Sequence, residues 1–213
     1  MDAGDWRGMI TIYGMHDSGN CYKPRLLCAL LGEPFHHIEI STPAGETHTP
    51  EFLALNPNGQ VPLLKLADGT LISESNAILW YLGEGSRFVP QERVARAQML
   101  SWMFFEQYNH EPTVAVRRSL LVYPHRKDRA TPERLAATLA GGEAALGLME
   151  QRLAEGPYLA GDAPTLADIS LYPYTHVAGE GGFDLDKWPA IRAWLARIEA
   201  LDGYRPVTWL PKD

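Results

Sequence analysis

An α/β layer followed by an all-helical half is the fold this sequence predicts, and three observations carry it. Every strand-like run lies early in the chain, at residues 10–13, 35–40, 61–66 and 71–72. Helical patterns follow the first and the last of these runs. Beyond residue 90 the strand signals vanish, and apolar residues recur at spacings of three and four.

The β-rich run Ile10, Thr11, Ile12, Tyr13 passes through a loop from Gly14 to Gly19 into a helical pattern with Leu27, Leu30 and Leu31 on one face. Pro24 suits a helix only in its first turn, where its missing N–H has no intrahelical partner. It therefore dates the helix start to about residues 20–22. Gly32 stops the helix. After the strand at 35–40, residues 41–59 are rich in turn formers, with room for a short helix at 50–55. The runs at 61–66 and 71–72 bracket Ala67-Asp68-Gly69-Thr70, whose Asp-Gly pair signals a hairpin. A helix over 75–82 completes the order βαβ–ββα, that of a thioredoxin-like layer with one antiparallel edge hairpin.

This first domain is expected to span 9–83, with a linker at 84–90 and an all-helical domain at 91–213. In the second domain Ala95, Met99, Trp102, Met103 and Glu106 open a helix. Leu135, Leu139, Gly142, Leu146, Met149 and Leu153 define another, and Ile191, Trp194, Leu195 and Ile198 a third. Pro112, Pro124, Pro132, Pro157 and Pro189 punctuate them. Residues 1–8, acidic and polar, read as a disordered extension.

The charge balance narrows the function classes. With 26 acidic and 19 basic residues the net charge of −7 has the wrong sign for holding nucleic acid by phosphate neutralisation. No apolar run approaches the roughly 20 residues of a membrane span, and the N-terminus lacks the basic and apolar stretches of a secretory signal. Two cysteines are too few for a disulfide framework, so a soluble cytoplasmic protein with no membrane partner is expected. The seven histidines show no metal spacing. His110-Glu111 lacks the second histidine of a zinc helix, and no metal is predicted.

Three places carry candidate chemistry. In the loop Met15 to Cys21, free N–H groups and the positive end of the helix dipole would favour an anion. Ser18 there either caps the helix or donates a hydrogen bond to a sulfur anion, which lowers a thiol pKa; the two roles can coexist. Val61-Pro62 opens a strand in which proline contributes no N–H. If that bond is cis, the Val61 backbone faces outward to pair with an extended peptide-like ligand. Glu74-Ser75 precedes a helical run. The pair is either an ordinary helix start or a carboxylate and a hydroxyl that meet the ammonium and carboxylate of an α-amino acid end.

At this point the chain resembles the cytosolic glutathione S-transferases, in particular the bacterial, serine-type members similar to theta and zeta. The resemblance rests on Ser18-Gly19-Asn20-Cys21-Tyr22-Lys23, on Pro50-Glu51-Phe52-Leu53 with Asn56-Pro57-Asn58-Gly59-Gln60-Val61-Pro62, and on Glu74-Ser75-Asn76-Ala77-Ile78, in that order. Pro157 to Asp162 with Thr165-Leu166-Ala167-Asp168 looks like the family's capping box in its helical C-terminal domain. The resemblance implies glutathione as co-substrate, with Ser18 stabilising its thiolate for attack on a small, largely apolar electrophile. It further implies that Gln60, Val61, Glu74 and Ser75 hold glutathione, that His48 meets its glycine carboxylate, and that the protein is a homodimer. Outward apolar residues such as Phe104 and Phe105 fit such pairing. The alternatives are a glutathione-dependent disulfide reductase or peroxidase, and a non-catalytic glutathione-binding module.

Further residues are singled out beside these. Tyr13, within the strand, is the rival hydroxyl to Ser18. Asp17 would place a like charge beside the thiolate. Ser18-x-x-Cys21 has the spacing of a redox pair whose first cysteine has become serine, which makes Cys21 a redox candidate, whereas Cys28 belongs to the core. His16 in the loop is a candidate border of the second-substrate pocket. Trp102, Phe104, Phe105 and Tyr108 crowd less than two helical turns, so at least one faces outward; Tyr108 is the pocket candidate and Trp102 the core one.

Overall fold

A computed structural model describes residues 9–211. The expected disordered extension at 1–8 lies outside the described residues. The chain forms two compact units. One runs to Ser86 and takes in the chain again from Leu201; the other is Arg87–Ala200. The sequence assigned everything after residue 91 to the helical domain. The final segment instead belongs with the first unit, because Gly203 turns it with φ +87° and the backbone carbonyls beyond it serve side chains of the first helix.

In the first unit, strand β1 (Ile10–Gly14) buries Ile10, Ile12 and Gly14 and leaves Thr11 and Tyr13 half-buried, the period of two expected of a strand. Helix α1 (Gly19–Leu31), strand β2 (Phe35–Glu39), the short helix α2 (Pro50–Leu55), strands β3 (Leu63–Lys65) and β4 (Leu71–Ser73), and helix α3 (Ser75–Gly83) follow. The sheet order is β2-β1-β3-β4, with β2 parallel and β3 antiparallel to β1, and β3 and β4 paired as the expected hairpin. Thr70 N–H caps the turn on Asp68 Oδ1 at 2.8 Å.

Ser18 caps α1, so the helix begins at Gly19 and Pro24 falls at its sixth residue, not in its first turn. The helix runs through the proline without the bond its N–H would have given to the Asn20 carbonyl. Gly32, at φ +71°, ends the helix by donating its N–H to the Ala29 carbonyl.

The second unit contains α4 (Arg93–Phe105), a π-helical segment Glu106–Ala115, α5 (Val116–Val122), α6 (Pro132–Glu155), α7 (Leu166–Thr175) and α8 (Pro189–Glu199). Pro112 was expected to break the helix. It sits inside the π-helical segment, where the wider turn accommodates a residue that cannot donate. Ile191, Trp194, Leu195 and Ile198 are all buried, as their period demands. Thr165 and Asp168 form the reciprocal capping box at the start of α7. No helix among the described residues is long and apolar enough to cross a membrane.

Candidate active site

The strand directions bring the three motifs to one end of the sheet. β1 ends at Gly14; β3, antiparallel to it, begins beside that end; β4, antiparallel again, finishes there. The Met15–Ser18 loop, the turn into β3 and the Glu74–Ser75 corner therefore emerge together. β2, parallel to β1, delivers Glu39 to the same end.

Ser18 is half-buried, and its Oγ accepts the Cys21 N–H at 3.4 Å. That bond uses a lone pair; the single hydroxyl proton also faces the Cys21 thiol and must turn from it to reach another sulfur anion, which the cap does not prevent. Tyr13, the rival, is half-buried within the sheet, between Ile38 and Leu63 in register, and its hydroxyl has no hydrogen bond among the described residues.

Cys21 is fully buried. Burial pushes its thiol up to about 11 despite the opposing hydrogen bond from Ser18. A buried thiol held protonated at neutral pH is a poor nucleophile, which counts against the redox role for which Cys21 was a candidate. Cys28 is likewise buried, with its thiol pushed further up by the same cause.

His16 also departs from expectation. Its backbone N–H and its ring Nδ1 both meet Glu39 Oε1, at 3.1 and 2.9 Å, while Glu39 Oε2 is 2.9 Å from His37 Nε2. Partial burial pushes the Glu39 carboxyl up, but the bonds to His37 and His16 outweigh it and bring the group below its ordinary range. His16 thus pins the loop to β2, although its imidazole remains exposed. Tyr108, in the second unit, is 87% exposed and Phe104 71% exposed, whereas Trp102 is half-buried with its ring edge against Phe105.

The Val61–Pro62 bond is cis, and neither the Val61 N–H nor its carbonyl has a hydrogen-bond partner among the described residues. An extended ligand can pair with both. Asn56, buried ahead of this turn, is a residue the sequence placed in a motif without a task. Its Nδ2 donates to the Gln60 carbonyl at 2.8 Å and its Oδ1 accepts the Asn58 N–H at 3.2 Å, so one side chain shapes the turn that presents Gln60 and Val61. An asparagine directly before Pro57, at the end of a short helix, was the available signal.

His48 reaches the site through Gly59. A Cβ at Gly59, which has φ +59°, would lie 2.8 Å from His48 Nδ1 and 3.2 Å from the Thr47 carbonyl. Gly59→Ala is therefore expected to displace the His48 ring and to cost about 1–2 kcal/mol from its backbone conformation. If His48 meets a ligand carboxylate, that ligand should bind severalfold more weakly to the variant, as calorimetry would show.

Glu74 has φ +70°, the only positive φ among described residues other than glycine. Such a conformation costs of order 1–3 kcal/mol and recurs at ligand clamps. Ser75 follows as the first residue of α3, buried, with its Oγ donating to Asn20 Oδ1 at 3.3 Å and accepting from Lys23 Nζ at 3.2 Å. Lys23 is itself fully buried. The Glu74 carboxylate offers an acceptor for an ammonium, and the N-terminus of α3, with the Ser75 hydroxyl once it turns from Asn20, offers donors for a carboxylate, so the corner can hold both ends of an α-amino acid. Asn20 and Lys23 were named in the sequence only as part of a motif, because a lysine on a helix is ordinarily solvated.

Among the described residues no three His, Cys, Asp or Glu side chains lie together to hold a metal ion. Comparison with known proteins bears on the same residues. A family profile described as "Glutathione S-transferase, N-terminal domain" matches residues 17–84, and one described as "Glutathione S-transferase, C-terminal domain" matches 132–197. A glutathione S-transferase crystal structure from Pseudomonas fluorescens is 45% identical with a TM-score of 0.90, covering 94% of this chain and 99% of its own. A theta class enzyme from Xanthomonas axonopodis with glutathione bound is 29% identical with a TM-score of 0.83, covering 92% and 94%. The disulfide-bond oxidoreductase YfcG of Escherichia coli is 28% identical over 94% of this chain and 93% of its own.

Proposed function

From the premise that the chain belongs to the glutathione S-transferase family, we propose that Ser18 activates the thiol of glutathione as a thiolate for attack on a small, largely apolar electrophile. Glutathione binding is supported by the glutathione-bound relative. What carries the finer reading is the convergence of Ser18, the Val61 backbone, unpaired among the described residues, and the Glu74–Ser75 corner at one end of the sheet. In it Glu74 and Ser75 hold the γ-glutamyl end, Gln60 and Val61 pair with the cysteinyl backbone, and His48 meets the glycine carboxylate. The thiol proton passes to solvent, the sulfur attacks the electrophilic carbon, and the leaving group departs with its electron pair. Thiol ionisation and proximity supply the rate, with no covalent enzyme intermediate. A homodimer in the cytoplasm completes the reading, consistent with the exposed Phe104; sedimentation would test the dimer.

A second reading is a disulfide reductase that draws both electrons from two glutathione molecules and uses no protein thiol. The likeness to a disulfide-bond oxidoreductase supports a reductase, and the burial of Cys21 favours this form over one working through Cys21. One experiment separates the readings: saturable glutathione binding measured by calorimetry, followed by turnover of a haloarene and of a mixed disulfide under the same conditions. Faster haloarene conjugation supports the transferase. Faster disulfide reduction supports the second reading, and binding with neither reaction leaves a binding module.

A further inference from the structure

Residues 201–211 are joined through one side chain of α1 to the loop that carries Ser18. After α8 the backbone lies along α1, where Gly203 comes so near that a Cβ on it would stand 2.6 Å from the Ala29 carbonyl. Tyr22, also on α1, donates its hydroxyl proton to the Arg205 carbonyl. The Trp209 ring meets Phe35 of β2 edge-on, with centroids 6.0 Å apart.

Between these contacts sits Arg25, whose side chain is fully buried. Its Nη1 donates to the Trp209 carbonyl at 3.4 Å and its Nη2 to the Val207 carbonyl at 3.1 Å. The same Nη2 donates to the His16 carbonyl at 2.5 Å. One guanidinium thus joins the last segment of the chain to the loop two residues before Ser18. Asp17 and Glu39 lie within its electrostatic reach. The cation therefore offsets Asp17, which would otherwise oppose a thiolate nearby.

We propose that residues 201–211 brace the thiol-activating loop through Arg25, which acts as a positioning residue for Ser18. The proposal rests on the reading that Ser18 activates glutathione. Its logic is the cost of a buried charge. A guanidinium keeps its proton under all working conditions and presents its donors in a fixed fork; here Nε is buried with no partner among the described residues, so the burial of the charge rests on the carbonyls that meet the two Nη groups. Two of the three carbonyls it uses come from the final segment. Without them the guanidinium turns toward water and the His16 carbonyl loses its donor. His16 is then held by Glu39 alone, and Ser18 shifts relative to the sulfur. A displacement of about 1 Å at such a group is enough to cost about a hundredfold in rate. Lysine, a point charge with no fork, cannot bridge two segments in this way.

The test uses full-length chains. Gly203→Val forces a side chain onto the Ala29 carbonyl, and Tyr22→Phe removes the bond to Arg205 while keeping the ring that faces the Arg25 guanidinium, so the double variant lifts residues 201–211 with Arg25 itself unsubstituted. Arg25→Lys and Arg25→Met test the link itself, and Ser18→Ala provides the reference. For each, the pKa of bound glutathione is read from thiolate absorbance, and kcat and KM are measured across pH. The bracing account expects the double variant and both Arg25 variants to raise the bound-thiol pKa by about one unit and lower kcat at neutral pH about tenfold, with the rate recovering at high pH. The KM for glutathione should stay within about twofold, because Val61, Glu74 and Ser75 are untouched. Tyr22→Phe alone, nearly isosteric, keeps the test valid should the others fold poorly, and is expected to shift the pKa in the same direction by less. A pKa that moves in Ser18→Ala but in none of the other variants overturns the brace and leaves the activation reading standing. A pKa indifferent to Ser18→Ala removes both.

Discussion

Asp168→Ala should destabilise the protein by on the order of 3–5 kcal/mol, the largest loss expected from any single change away from the active site. The carboxylate is fully buried and each oxygen serves twice. Oδ1 accepts the Leu159 N–H at 3.0 Å and the Trp194 indole N–H at 2.9 Å. Oδ2 accepts the Thr165 N–H at 2.8 Å and the Thr165 hydroxyl at 3.1 Å. Alanine strands three buried N–H donors at once, each worth about 1–3 kcal/mol when left unsatisfied; one of them, the Thr165 N–H, is the Asp168 half of the capping box, while Thr165 still caps α7 through the Ala167 N–H. The expected result in urea unfolding is a lower midpoint at unchanged slope. Asp168→Asn, which keeps one acceptor oxygen, should recover part of the loss. A cost below about 1 kcal/mol for the alanine variant would mean that water replaces the carboxylate, against the burial seen here.

The second large effect falls on Ser18. A charge-assisted hydrogen bond to a thiolate is worth about 1.5–3 kcal/mol, so removing the hydroxyl should lower kcat/KM at neutral pH about ten- to a hundredfold. Ser18 also caps α1, and the two roles separate by substitution. Alanine forfeits the cap at about 1 kcal/mol, whereas glycine at the same position costs only a few tenths. Both lack the hydroxyl. Ser18→Ala and Ser18→Gly should therefore differ in thermal stability yet agree in rate and in bound-thiol pKa. Tyr13→Phe should change the rate less than about twofold if its ring only packs. A rate that follows the cap, falling in the alanine variant alone, would assign Ser18 a folding role.

Local features of the sequence were legible because their causes are local. Alternation of Ile10 and Ile12 with Thr11 and Tyr13 made β1, Asp68-Gly69 made the hairpin, and Thr165-x-x-Asp168 made the capping box. The order of the three motifs also carried the site, since antiparallel pairing of β3 with both neighbours returns them to one end of the sheet. Residues whose roles depend on distant partners were less legible. Arg25 and Lys23 look like a solvated helix face until residues 201–211 and α3 cover them. His16 stood out in the sequence only as a candidate border of a pocket, and its bond to Glu39 depends on β2 lying beside the loop. The two prolines misled for a related reason. The boundary near Pro24 yielded to a serine cap, and the break at Pro112 yielded to a change of helical register.

The central claim is that this site ionises the glutathione thiol through the Ser18 hydroxyl. Titration of thiolate absorbance in the wild-type complex, alongside Ser18→Gly, tests it most directly. The account predicts a bound thiol that ionises well below the ordinary thiol value of about 8.5, and a return toward that value in the glycine variant. A bound thiol that titrates like free glutathione, or one whose depressed pKa survives the loss of the hydroxyl, would contradict it.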